Sequence, residues 1–202
     1  MVIKSRRILY ITGEIMVYLN HFYHRIQGWP NQLPSLYAEM VKKFPSGSHF
    51  VEVGAWKGAS TAAMAVEIIN SGKEIKFDVV DTWLGDGTDA HALDQAVVEN
   101  RLYEEFLRNM EPVKEYITFN PVRKTSIEAA ALYEDNSLDF VCIDASHDYD
   151  NVKADILAWM PKVKSGGILG GDDYPYPGVT KATNELLPNF QHSTAAWWWN
   201  KP

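Results

Sequence analysis

From His49 onward the chain alternates short apolar runs with longer segments of helical pattern, and several of the runs stop at a glycine or an acidic residue. Val51 and Val53 lead to Gly54, "IKFDVV" leads to Asp81, "LDFVCI" leads to Asp144 and "GILGG" leads to Asp172 and Asp173. Between these, "STAAMAVEII", the stretch from Ala90 to Met110, "IEAAALY" and "DNVKADILAWMPKV" have helical patterns, and "YITF" fits a further strand. Nearly continuous apolar runs suit parallel strands covered on both faces, whereas a half-exposed strand would alternate. Strand and helix in alternation therefore predict an α/β fold: a doubly wound, mostly parallel sheet of about seven strands with helices on both faces. The tail breaks the pattern. Thr180 to Leu187 suggests a helix, and "FQHSTAAWWWNK" could add a C-terminal antiparallel strand or hairpin, with Trp197 to Trp199 packing in the core and at the edge or against another subunit.

A chain of 202 residues with this pattern is expected to form a single domain, 1–202, with an N-terminal arm or helix over 1–34 and the α/β core over 35–202. Ile8 to Ile26 is expected to be an amphipathic helix or arm serving as a lid or oligomer contact, with His21 and His24 as surface or packing residues. Glu14 interrupts the apolar stretch after Lys4, Arg6 and Arg7, no small-residue cleavage pattern follows, and no segment reaches the ~18 apolar residues of a membrane span. Gly28-Trp29-Pro30 is a break, after which "SLYAEMVKKF" has Leu36, Met40 and Phe44 at helical spacing. A net charge of −7 argues against nucleic acid or an anionic membrane as a general partner. Small neutral or cationic substrates fit better, and the single cysteine, Cys142, sits in an apolar run, which excludes an internal disulfide and suits a reducing cytoplasm.

"FVEVGAWKGAST" places Gly54 and Gly58 in a turn between an apolar strand and a helix, where backbone can approach a ligand. A dinucleotide fingerprint would require G-x-G-x-x-G and an acid about twenty residues on. Here the glycines are spaced G-x-x-x-G, and the next strand-end acid, Asp81, is too distant for that reading. Glu52, Gly54, Ala55, Trp56, Gly58, Ser60 and Thr61 instead resemble the first motif of class I S-adenosylmethionine-dependent methyltransferases, in the form found in catechol O-methyltransferase-like enzymes. From about Phe44 to Tyr174 the chain is similar to the metal-dependent small-molecule O-methyltransferases of the macrocin or sugar type, grouped as the methyltransferase-24 family. The resemblance implies a Rossmann-like fold that binds S-adenosylmethionine through that motif. Asp81 would hold the ribose, Thr82, Trp83 and Ser126 would pack around the adenosine, and Asp144 would stand beside the cofactor.

The same resemblance assigns Asp144, Asp172 and Asp173 to a magnesium or other divalent ion, and His147 to the general base. Oxygen-only ligands suit a hard cation. Asp173 departs from the catechol-type pattern, which has asparagine at that place. Histidine, with an ordinary pKa of about 6.5, can take a proton at neutral pH. Asp148 and Asp150 fit the start of a helix. The implied reaction is methyl transfer to a hydroxyl of a sugar, glycoside or catechol-like diol. Trp29, the "LGDGTDAH" loop and "YPYPG" are candidates for the acceptor pocket or a lid. A non-catalytic cofactor-binding protein, a nucleic-acid methyltransferase and an NAD-dependent oxidoreductase are the competing readings.

Overall fold

The computed structural model describes residues 6–11, 14–85 and 93–202, with side chains from residue 17. Its strands are β1 (Arg6–Ile11), β2 (Glu14–Leu19), β3 (His49–Val53), β4 (Lys76–Asp81), β5 (Phe119–Arg123), β6 (Leu138–Ile143), β7 (Val163–Gly171), β8 (Gln191–His192) and β9 (Trp197–Asn200). The helices are α1 (Leu33–Lys43), α2 (Ala59–Ser71), α3 (Gln95–Val98), α4 (Leu102–Met110), α5 (Ser126–Ala130), α6 (Tyr149–Trp159) and α7 (Pro177–Leu186).

Seven strands form one sheet in the order β5-β4-β3-β6-β7-β9-β8. The pairings from β5 across to β7 are parallel, and β9 runs antiparallel to both β7 and β8. This is the doubly wound, Rossmann-like arrangement that the alternation predicts. From β3 the chain winds outward through β4 to β5, then returns to place β6 on the other side of β3. That reversal opens a crevice beyond the carboxyl ends of β3 and β6, where ligands of such sheets bind.

Because successive strand residues point to opposite faces, each central strand feeds two cores. Phe50, Phe77 and Phe140 pack with Leu36, Tyr37 and Met64 on one face, while Val51, Val53 and Val141 pack with Trp159 and Trp197 on the other. α2 is buried along almost its whole length. Its alanines, Ala59, Ala62, Ala63 and Ala65, allow it to lie close to the sheet.

Three elements differ from the sequence expectations. The segment read as an amphipathic helix contains instead a β-hairpin, with β1 and β2 paired from Arg6↔Leu19 to Ile11↔Glu14, followed by a 3-10 turn at Tyr23–Arg25. Asn70 on α2 anchors it, accepting from Leu19 N at 2.8 Å and donating to Leu19 O at 2.9 Å. The single long helix expected up to Met110 is two helices within the described residues, separated near Asn100, whose φ of 51° is left-handed. The strand expected at "YITF" begins only at Phe119 and runs through Pro121, which has no N–H to donate and is tolerated because β5 is an edge strand.

The tryptophan run serves packing within the chain. Trp197 and Trp199 are buried, and their indole N–H groups donate to Asp172 O and Pro188 O, while that of Trp198 donates to Gln191 Oε1. Among the described residues, no helix is long and apolar enough to cross a membrane.

Candidate methyl-transfer site

A cavity of about 930 Å³ occupies the crevice, walled by the ends of β3, β4 and β6 and by the segments 28–31 and 173–176. Its floor is the glycine turn. Gly54 has φ +90°, and a Cβ there would lie 1.9 Å from the carbonyl oxygen of Asp144. The glycine is therefore demanded by the neighbouring strand end, which approaches closely enough for Asp144 N to donate to Val53 O at 2.7 Å. Trp56 is held left-handed at φ 50°, a conformation that glycine adopts more readily.

Asp81 organises this turn from the end of β4. Its Oδ2 accepts from Ala55 N at 2.8 Å and Trp56 N at 2.9 Å, and its Oδ1 accepts from Trp83 N at 2.7 Å. A carboxylate has about four acceptor positions, so one remains for a ligand hydroxyl.

The structure divides the residues assigned to the cofactor into two groups. Gly54, Ala55, Trp56, Ser60, Asp81, Thr82, Ser126 and Asp144 line the cavity. Glu52, Gly58, Thr61 and Trp83 stand behind its wall. Gly58, at φ +91°, turns the chain into α2, and a Cβ there would press on Phe106 and Met110. Trp83 is buried against Tyr103 and Phe106, and its indole donates to Trp56 O at 3.1 Å, so it supports the turn from beneath. The Ser126 hydroxyl accepts from Trp159 Nε1 at 2.9 Å, which fixes the start of α5 at the cavity edge.

Glu52 is fully buried and accepts hydrogen bonds from Tyr37 and Thr61. Burial pushes its carboxyl up from the ordinary 4.5 to about 7, against the hydrogen bonds from Thr61, Ser60 and Tyr37. Between those values the folded chain holds more protons than the unfolded one, so stability present at low pH is lost as pH rises through the window, by about 3 kcal/mol at most. Asp155, pushed up to about 6 by burial, shares that window. The contribution of Glu52 is therefore the difference between wild type and Glu52→Gln. Denaturant titrations at about pH 5 and about pH 8 should show a smaller loss in the variant, and equal losses would contradict the assignment.

The acidic end of the crevice is built from β6 and β7. Asp144, Asp172 and Asp173 bring one carboxylate oxygen each to within 4.8 Å of one another. Gly171 delivers this cluster: a Cβ there would meet Ile143 O at 2.4 Å and the Trp197 ring at 2.5 Å. Asp173 is left-handed at φ 60°, which turns it away from the line of β7. Burial raises Asp144 well above the usual carboxylate range, with repulsion from Asp172 and Asp173 adding to it. Asp172 is pushed up to about 6, again chiefly by burial, against a hydrogen bond from Asn31. Asp172 is 2% exposed, and its Oδ1 has no hydrogen-bond partner among the described residues. A buried acceptor left unmatched within an all-oxygen, mutually repelling set fits a hard divalent cation.

His147 faces the same space. Its Nε2 is 2.7 Å from Asp173 Oδ2, and its ring stacks on Tyr176 with centroids 4.6 Å apart. Asp148, beside it, caps α6 by accepting from Asn151 N at 3.1 Å. Trp29, Pro175 and Tyr176 also line the cavity, as does Gly85; residues 86–91 of the "LGDGTDAH" loop lie outside the described residues.

Two participants had no sequence signal. Asn31, in the break before α1, donates to Asp172 Oδ2 at 3.0 Å and reaches Asp173 Oδ1 at 3.4 Å. Lys57, inside the glycine turn, is buried and bonds Asp94 Oδ2 at 2.8 Å, Gln27 Oε1 at 2.9 Å and Glu105 Oε1 at 3.2 Å. Each joins segments far apart in the chain.

Solved structures with the same fold include the O-methyltransferase NovP, 18% identical over 83% of this chain and 78% of that one, with a TM-score of 0.60. CalS11, a TDP-rhamnose 3'-O-methyltransferase of calicheamicin biosynthesis, is 15% identical over 84% of this chain and 76% of its own, with a TM-score of 0.55. Aeropyrum pernix fibrillarin, solved with natively bound S-adenosyl-L-methionine, is 12% identical over 98% of this chain and 84% of its own, with a TM-score of 0.54. A curated relative, the uncharacterized protein y4gI of Sinorhizobium fredii (strain NBRC 101917 / NGR234), is 31% identical over 120 residues, 59% of this chain. The match spans 12% of that relative's length. The sequence profile of the methyltransferase-24 family, described as a methyltransferase domain, matches residues 51–174, a span that runs from β3 and the glycine turn through Asp144 and His147 to Asp172 and Asp173. With that match covering more than half of the chain, this chain belongs to the methyltransferase-24 family of methyltransferase domains.

Proposed function

We propose that this chain is an S-adenosylmethionine-dependent, divalent-cation-assisted O-methyltransferase whose acceptor is a small molecule with two neighbouring oxygens, such as a sugar, glycoside or catechol-like diol. The observation that carries the reading is the convergence of Asp144, Asp172 and Asp173, with Asp144 and Asp173 lining the same cavity as the glycine turn. S-adenosylmethionine supplies an activated methyl group. Asp144, Asp172 and Asp173 would hold a divalent cation, magnesium being the first candidate, which would supply Lewis acidity toward an acceptor hydroxyl.

The chain's own residues account for the rest. Gly54, Ala55 and Trp56 offer backbone to the methyl donor, and Asp81 keeps an acceptor position for its ribose hydroxyls. Trp29 and Tyr176 narrow the acceptor side and exclude water. The reading assigns the acceptor's proton to His147, oriented by Asp173 and by the Tyr176 ring, as the new C–O bond forms and the methyl–sulfonium C–S bond breaks to leave S-adenosylhomocysteine. Asp173 serves both the cluster and the histidine, so the two functions are linked through one carboxylate.

Methyl transfer from labelled S-adenosylmethionine to a panel of sugars, glycosides and catechols, with and without chelator, tests the reading. Chelator-sensitive transfer to a diol supports it. Transfer unaffected by chelator would remove the cation, and tight cofactor binding with no transfer would favour a binding protein. His147→Ala should lower kcat by roughly 10²–10⁴-fold with S-adenosylmethionine affinity unchanged. Full activity in that variant would move the base elsewhere.

A further inference from the structure

Residues 27–32 run along the cavity as a strap, with Gly28, Trp29, Pro30 and Asn31 on its wall. Three amide side chains pin it. Gln27 accepts from Lys57 Nζ and donates to Asp94 Oδ2 at 3.1 Å, which ties one end to the glycine turn. At the other end, Gln32 Oε1 accepts from Ala195 N at 3.2 Å and from the Ser193 hydroxyl. Between them Asn31, following Pro30 and held left-handed at φ 43°, points its amide N–H groups at Asp172 and Asp173.

This placement matters because the two carboxylates repel each other and are partly removed from water. A neutral amide offers each of them a donor without adding charge. It does so at Asp172 Oδ2, which leaves the buried Oδ1 as the oxygen with no other partner. We propose that Asn31 is a positioning residue for the carboxylate cluster: it sets the rotation of Asp172 and Asp173 so that divalent-cation binding depends on where the strap lies. The inference rests on the reading of Asp144, Asp172 and Asp173 as a cation site, and it assigns a role to a residue 141 positions away from Asp172 in sequence.

Partners that orient metal ligands typically contribute about 10–100-fold to metal affinity. Glycine tolerates the left-handed backbone, so Asn31→Gly removes the amide while keeping the turn. The test is titration of the full chain with Mn²⁺ alone, without cofactor or acceptor, followed by calorimetry and by the Tm shift on saturation. Wild type should bind one ion and Asp144→Asn none. Asn31→Gly should bind one ion about 10–100-fold more weakly, with its metal-free Tm near that of wild type. Asn31→Ala, which removes the donor without adding charge, provides the second variant should the glycine chain not fold. Wild-type affinity in both Asn31 variants, with binding abolished in Asp144→Asn, would overturn the role of Asn31 and leave the cation site standing. No binding by wild type would overturn both.

Discussion

Asp144→Asn is expected to cut methyl transfer by about 10²–10³-fold while raising the Tm of the metal-free chain. The two effects share one cause. Asp144 prefers the protonated form because burial penalises its charge, and Asp172 and Asp173, then Glu52 and Asp81, repel it. At neutral pH, where the unfolded chain leaves this carboxyl ionised, folding must either protonate it or hold its charge among like charges, and either costs stability. An amide of the same size removes that cost, for a gain of about 1 kcal/mol or more and a Tm rise of roughly 2–4 °C. It also removes a cation ligand, so the residual activity should be insensitive to chelator. A fall in Tm would show that the cluster is not strained. Retained, chelator-sensitive activity would show that Asp144 does not serve the cation.

Gly54→Ala is expected to destabilise the chain by at least about 4 kcal/mol, lowering the Tm by roughly 8–16 °C. Two costs combine. The residue sits at φ +90°, and its new Cβ would fall 1.9 Å from Asp144 O and 2.5 Å from the carbonyl carbon, both backbone atoms that cannot rotate away. Relief requires the ends of β3 and β6 to part, which moves Asp144 as well, so cofactor and cation binding should weaken together. Gly47→Ala separates the terms. Gly47 has a comparable φ of +88° and nothing within 4 Å of a built Cβ, so its substitution should cost only about 1 kcal/mol. Equal losses in the two variants would mean that backbone conformation alone, and not the close approach of Asp144, requires the glycine at position 54.

Much of the sheet is legible because its central strands are buried on both faces. "IKFDVV" and "LDFVCI" must be apolar at nearly every position to satisfy two cores, and that continuity identifies β4 and β6. β5 lacks the pressure, since an edge strand can hold polar residues and Pro121. The N-terminal hairpin was hidden for the opposite reason. A short apolar run fits helix and strand alike, and Gly13, midway between β1 and β2, was the available signal against one continuous helix.

Sequence by itself determined the alternation of strand and helix, the strand-end positions of Asp81, Asp144 and Asp172, and the glycine turn, because burial and backbone sterics act through neighbouring residues. Tertiary structure alone decided which groups meet. It turned Glu52, Gly58, Thr61 and Trp83 behind the cavity wall, placed His147 on Asp173, and brought Asn31 to the carboxylates. Those contacts depend on the order of strands in the sheet and on the reversal between β3 and β6, which bring together residues that no local pattern links.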